Sequence, residues 1–206
     1  MDELMEYVIP NEKDFQLVDP IEYDYWLNRK QRCFYIDFEV EDDYRCVELM
    51  KTIIQMNIAE KDIPEDNLQP IKIFLFSYGG DLSQATALCD VIEASRIPII
   101  TICMGVAMSA GFLIFLAGKK RYALKQSVLL VHQGNAVLSG NASEIEECQK
   151  NYQKTLDKMK DYILSRTTID RKIFDRNRKK DWYITGKEEI ENYGIAKVIT
   201  SLDEIK

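Results

Sequence analysis

The stretch Thr101 to Arg121, TICMGVAMSAGFLIFLAGKKR, constrains this chain more than any other. It begins as an apolar, β-branched run, crosses small residues from Gly105 to Gly111, and resumes as Phe112-Leu113-Ile114-Phe115-Leu116-Ala117. That order predicts a strand, a tight turn and a buried helix. Gly118 is the expected C-cap, with Lys119, Lys120 and Arg121 at the negative end of the helix dipole. One hydroxyl, Ser109, sits at the turn among small residues that let other groups come close. A nucleophile there would meet the free N–H groups of a helix N-terminus, which favour developing negative charge. The plainer alternative is a buried helix start with an incidental serine, because G-x-x-x-S-x-G is a loose pattern.

Around this stretch, strand and helix patterns alternate. Residues 1–20 are acidic and weakly periodic, and are expected to form an arm ordered only by contacts with something else. Residues 21–206 read as one domain. Ile21 to Lys30 suggests a short helix, Cys33 to Phe38 a strand, and Glu39 to Asp43 an acidic turn. From Tyr44 to Ala59, Val47, Met50, Ile53 and Ile54 recur at helical spacing. A loop with two prolines, Lys61 to Pro70, leads to a strand at Ile71–Phe76 and the turn Ser77-Tyr78-Gly79-Gly80-Asp81. Ser83 is the expected cap of a helix through Ser95, with Ala87, Leu88, Val91 and Ile92 inward. Ile99–Cys103 and Ser127–Val131 are the next expected strands, and His132 follows the second directly. Gly134 to Gly140 reads as an extended, hairpin-like arm. Ser143 with Glu146 suggests a capping box opening a helix to about Arg166, and Thr185 with Glu188 repeats that signature. Gly194 is expected to end a short helix before a last strand at Ile195–Ile199. This alternation implies an α/β domain with largely parallel strands.

Composition narrows the function classes. An apolar share of 46% with 30% charged residues describes an ordinary globular chain. A net charge of −7 argues against general nucleic-acid or anionic-membrane binding. The longest apolar run is too short to span a bilayer. The acidic N-terminus lacks the pattern of a signal peptide, and five widely spaced cysteines fit a reduced, cytoplasmic setting. A single histidine excludes a multi-histidine metal site. The Gly79-Gly80 turn lacks the further glycine of G-x-G-x-x-G, and no G-K-[ST] occurs, which argues against nucleotide binding. The cationic run Arg171 to Lys180 is interleaved with Asp170, Asp175 and Asp181, as in a solvated or inter-subunit face.

Ser109, His132 and Gly79-Gly80 each follow an expected strand, at the carboxyl ends where α/β proteins build sites. A serine hydroxyl is a poor nucleophile until a base takes its proton, and imidazole, with an ordinary pKa of about 6.5, suits that task. A lone histidine at a strand end can equally be a structural donor. Many acids could orient the imidazole, and spacing does not choose among them.

These residues carry a resemblance. MGVAMSAG with the later LLVHQG, the ending KKDWYITGKEEIENYGIAKVI, and SYGGD resemble elements of the Clp protease proteolytic subunits, in order, over roughly residues 21 to 200. The resemblance implies a ClpP/crotonase-like fold, a spiral of β-β-α units with a projecting helix-strand handle at about 134–166. It implies Ser109 as nucleophile, His132 as general base and acid, and Asp181 as orienting carboxylate. The Gly80 and Ala110 N–H groups match the oxyanion hole. It further implies a cytoplasmic homo-oligomer of heptameric rings, stacked in pairs around an inner chamber, that cleaves unfolded polypeptides without a cofactor. ATP would be used only by a partner Clp-type AAA+ ATPase.

Departures accompany the resemblance. The proline of the family's S-P-G-G is Tyr78, and the proline usual after His-Gln is Gly134. The Glu-Arg pair before the catalytic aspartate, which links ring to ring, is Lys179-Lys180. The N-terminal arm does not resemble the family's axial loop. Phe74 falls where the family has an aromatic of the ATPase-docking pocket, and is equally explained as a core strand residue. The long helix, about 36 Å at 1.5 Å per residue, exceeds what a domain of this size needs; its stripe of Ile145, Tyr152, Leu156, Met159 and Ile163 is expected to meet a partner subunit. Two other functions suit this fold: a crotonase-type acyl-CoA enzyme, and a non-catalytic ring subunit.

Overall fold

The computed structural model describes residues 19–41 and 44–206. Most of the expected arm at residues 1–20 therefore lies outside the described residues, as do the last two residues of the acidic turn Glu39 to Asp43. Helix α1 (Pro20–Gln31) starts earlier than the apolar pattern suggests, because the Asp19 carboxylate accepts the Ile21 N–H at 2.7 Å and Pro20 is preset for a first helical turn. Then follow β1 (Cys33–Ile36), α2 (Tyr44–Ala59), β2 (Ile71–Ser77), α3 (Leu82–Ala94), β3 (Ile99–Met108) and α4 (Ala110–Ala117). The chain continues through β4 (Lys120–Leu124), β5 (Val128–Val131), α5 (Ala142–Arg166), α6 (Arg171–Asn177), β6 (Trp182–Thr185), α7 (Lys187–Asn192) and β7 (Lys197–Ile199).

The sheet is parallel in the order β1-β2-β3-β4-β7, as the alternation of elements implied. β3 runs five residues beyond the expected Cys103 and changes partner along its length. Ile100–Cys103 pair with β4, and Val106–Met108 pair with β5, so the sheet divides at this strand. β5 in turn pairs antiparallel with β6. Small side chains permit the divergence: a Cβ on Gly105 would lie 2.8 Å from the Phe76 ring.

α4 is buried on every side, as its uniformly apolar sequence requires. Its C-terminus differs from expectation. Gly118 has φ −58°, not the left-handed cap conformation, and glycine is needed there because a Cβ would fall 2.2 Å from Thr101 Oγ1. The orphan carbonyls go to side chains: Thr101 donates to Phe115 O, and Arg121 and Arg166 both donate to Leu116 O. Lys120 and Arg121 belong to β4, a strand that its cations disguised. Replacing fully buried Phe115 by alanine should destabilise the domain by about 3–5 kcal/mol.

Helix faces and caps also shift. α2 buries Cys46, Leu49, Thr52 and Ile53, while Val47 and Ile54 are exposed, a rotation of about one residue from the expected face. α3 buries Ala85, Leu88, Cys89 and Ile92, and its cap is Asp81, not Ser83. α5 is capped by an Asn141–Glu144 box two residues before the expected Ser143–Glu146 pair. α7 starts from Gly186, with the Thr185 N–H donating to Glu189 instead of a box with Glu188.

The main core lies between the sheet and α2, α3 and α4. A smaller cluster of Ile100, Ile102, Tyr122 and Ile199 lies elsewhere on the sheet, with Phe74 half-buried beside it and stacked on Tyr35 at 5.3 Å. α5 buries Leu156 and Ile163, and Met159 packs on the same core. The C-terminal part of the stripe expected to meet a partner subunit is therefore covered within this chain, because here the helix lies against the domain; most of its N-terminal half is exposed. The preceding residues 133–139 are irregular and form no strand. The cationic run became α6, tied to the protein's own acids: Lys160 and Arg178 meet Asp175, and Arg171 meets Asp161.

Candidate active site

The end of β3 delivers Ser109 at φ 51° and ψ −120°, a conformation L-residues rarely adopt and one that costs about 1–3 kcal/mol. Local bonds hold it there. Its N–H donates to Leu130 O at 3.0 Å, and its carbonyl accepts the Phe112 N–H at 3.0 Å as α4 begins. Although Ser109 occupies the N-cap position, its hydroxyl makes no capping bond. Oγ instead lies 2.8 Å from His132 Nε2.

His132 is brought there by register. Met108 pairs with Leu130, so the residue after β3 arrives beside the end of β5. The same logic supplies the acid. Val131 pairs with Trp182 in the antiparallel β5–β6 ladder, so the next positions outward are His132 and Asp181. Asp181 Oδ1 lies 3.3 Å from His132 Nδ1, with the carboxylate side still 59% exposed. Among 34 acids in the chain, strand pairing selects this one.

The Gly79-Gly80 turn closes on the serine from the end of β2. A Cβ on Gly79, at φ +106°, would lie 2.8 Å from Ser109 Cβ and 3.1 Å from the Ala110 nitrogen. Gly80 pairs with Val40 in a single parallel bridge. The Val40 N–H donates to Gly79 O at 2.6 Å, and the Asp81 N–H donates to Val40 O. That clamp uses the Gly79 carbonyl on one side and the Asp81 N–H on the other, and leaves the Gly80 N–H without a protein acceptor among the described residues. The Ala110 N–H is likewise unused, as expected in the first turn of a helix. The structure thus brings Ser109, His132, Asp181, Gly80 and Ala110 together.

Gly80, Ser109, Ala110 and His132 border a cleft of about 480 Å³ whose walls also include Tyr78, Asp81, Gln133 and Tyr152. The Tyr152 hydroxyl, from α5, donates to Gln133 O at 3.0 Å and ties the handle to the loop after His132. In the sequence Tyr152 is marked only as a member of the apolar stripe of the long helix, and Val40 is not marked for the site at all. Nothing local to Val40 signals its clamp, because its partner is supplied by another strand end. Among the described residues, no group of three His, Cys, Asp or Glu side chains could hold a metal ion, and no helix is long and apolar enough to cross a membrane.

A sequence model described as Clp protease matches residues 30–202. An ATP-dependent Clp protease proteolytic subunit from Deinococcus radiodurans is 29% identical over 154 residues, covering 74% of this chain and 74% of that protein. With a hydroxyl–imidazole–carboxylate series beside two unused N–H groups, and a family match spanning nearly the whole described chain, the protein belongs to the Clp protease family.

Proposed function

We propose that this peptidase is a serine endopeptidase that cleaves unfolded polypeptides through an acyl-enzyme. The observation that carries this reading is the series Ser109 Oγ to His132 Nε2 at 2.8 Å and His132 Nδ1 to Asp181 Oδ1 at 3.3 Å. Asp181 accepts a hydrogen bond from the Nδ1–H, which keeps the proton on Nδ1 and leaves Nε2 with a lone pair facing the hydroxyl. As Oγ bonds to the scissile carbonyl carbon, Nε2 takes its proton, and the carbonyl electron pair moves onto oxygen. The Gly80 and Ala110 N–H groups receive that charge. The pair then returns, the C–N bond breaks, and His132 gives its proton to the leaving amine. Water repeats the sequence: His132 takes its proton, the hydroxide adds to the ester carbon, and Ser109 leaves as the restored hydroxyl.

The wider assembly belongs to the same proposal. Family membership supports a ring-forming subunit, with heptameric rings stacked in pairs, sites facing a chamber, and a Clp-type ATPase that feeds polypeptides. The exposed face of α5 is the surface that would meet a neighbouring subunit. No cofactor enters the chemistry, and the cytoplasm is the proposed setting.

A fluorophosphonate probe read by intact mass tests the reading. One adduct, mapped to Ser109 and absent from Ser109→Ala, is the expected result. Failure of the assembled protein to label, with peptide cleavage unchanged in Ser109→Ala, would sink it, since losing a nucleophile costs several orders of magnitude.

A further inference from the structure

The cleft carries one charge that the proposed chemistry does not use. Among the described residues lining it, Asp81 bears the only carboxylate, and no lysine or arginine side chain joins it. Asp81 Oδ1 accepts the Gln84 N–H at 2.7 Å as the cap of α3, which fixes the group in place. Among the described residues, no cationic side chain pairs with it and no donor reaches its other oxygen. An aromatic lines the cleft three residues away in sequence. Tyr78 is 57% exposed and is held edge-on to Phe76, at a centroid distance of 6.0 Å and an angle of 87°. The Phe76 ring itself lies over Gly105, where a Cβ would come within 2.8 Å of it.

We infer that Asp81 and Tyr78 make this cleft select a cationic residue, lysine or arginine, next to the scissile bond of the substrate. The inference rests on the peptidase reading and names the substrate class of that site. A carboxylate and an open aromatic face are the two groups that attract an ammonium or guanidinium. The apolar wall of Leu82 and Met159 accepts the methylene stem of such a side chain, as it would any aliphatic one. The charge is therefore what separates lysine from its neutral isostere. The chain's net charge of −7 adds a diffuse attraction for cationic segments.

The test uses the assembled full-length protein and quenched-fluorescent peptides that differ at one position. Lysine, norleucine or glutamate is placed on either side of the scissile bond in two series. In one series kcat/KM should favour lysine over norleucine by about five- to tenfold, and norleucine over glutamate by a similar factor, the range for an exposed ion pair with an aromatic face. Asp81→Asn keeps a good helix cap and removes the charge, so its lysine-to-norleucine ratio should fall to about one. Tyr78→Leu should lower the ratio by about two- to threefold, and added salt should compress it in the parent. A parent ratio of one or less in both series, or an unchanged ratio in Asp81→Asn, overturns the inference. Cleavage of the norleucine peptide and a Ser109 adduct would then still uphold the peptidase reading. No cleavage of any peptide together with an unlabelled Ser109 overturns both.

Discussion

Gly80→Ala should disable catalysis through the oxyanion site while sparing the hydroxyl–imidazole pair. Gly80 sits at φ +137°, and a Cβ there would lie 2.0 Å from Val40 O and 2.6 Å from Val40 C. Both obstacles are backbone, so no rotamer change relieves the clash. Either Val40 or residue 80 must move by about an ångström to reach ordinary contact distance. The movement breaks the clamp in which the Val40 N–H donates to Gly79 O and the Asp81 N–H to Val40 O. Backbone strain of about 1–3 kcal/mol and about 1 kcal/mol for each of the two bonds together amount to about 3–5 kcal/mol of lost stability. The Gly80 N–H leaves its aim at the same time, and losing one such donor lowers kcat by about 10²–10³-fold. Turnover of a quenched peptide, measured beside thermal unfolding of the same samples, separates the two effects. Gly186→Ala is the control: φ is +76° there, but no atom of the described residues lies within 4 Å of the new methyl, so stability should fall slightly and kcat should hold. A folded Gly80→Ala protein with kcat within about fivefold of the parent would refute the role of this N–H.

Asp181→Asn presents Nδ1 with a mixed donor and acceptor, and should lower kcat by roughly a hundredfold or more while KM changes little; parental turnover would remove Asp181 from the mechanism. Lys179 and Lys180 are exposed in the turn directly before Asp181, and if they face their symmetry mates between the proposed stacked rings their like charges would repel. Lys179→Glu/Lys180→Arg should therefore raise the double-ring fraction in sedimentation, and parent and variant behaving identically at every salt concentration would contradict this. Near the C-terminus, Lys197 and the N–H groups of Thr200 and Ser201 hold the Glu204 carboxyl down at about 2. A depressed folded value stabilises above the ordinary 4.5 and is lost as pH falls through about 2, so Glu204→Gln should lower the melting temperature near neutrality. That difference should shrink as pH falls from 4.5 towards 2, and a pH-independent difference would show that charge is not its cause.

Much of this molecule was legible in one dimension, wherever a physical rule acts over a few neighbouring residues. The α2 limits, Tyr44 to Ala59, coincide with the expected ones because apolar residues at helical spacing are bounded by turn residues on both sides. The junction at Ser109 was visible because a β-branched run, small residues and a wholly apolar run can hardly fold otherwise. His132 stood out as the single imidazole. Tertiary structure decided what depends on partners distant in sequence. Period alone did not orient α2, since Cys46-Leu49-Ile53 and Val47-Met50-Ile54 are adjoining stripes, and only packing against α3 selected the first. Asp81 and Ser83, or Asn141 and Ser143, are caps of similar quality; the Val40 clamp turns the chain at the first, and a reciprocal box with Glu144 settles the second. β4 was hidden because its cations read as helix-end charge, whereas Arg121 earns a strand position by reaching back to the carbonyls of Leu116, Gly194 and Ile195. Apart from the family resemblance, nothing in the chain singled out Asp181: an acid becomes the partner of His132 only through the β5–β6 register, and register is a property of two strands, not of either one.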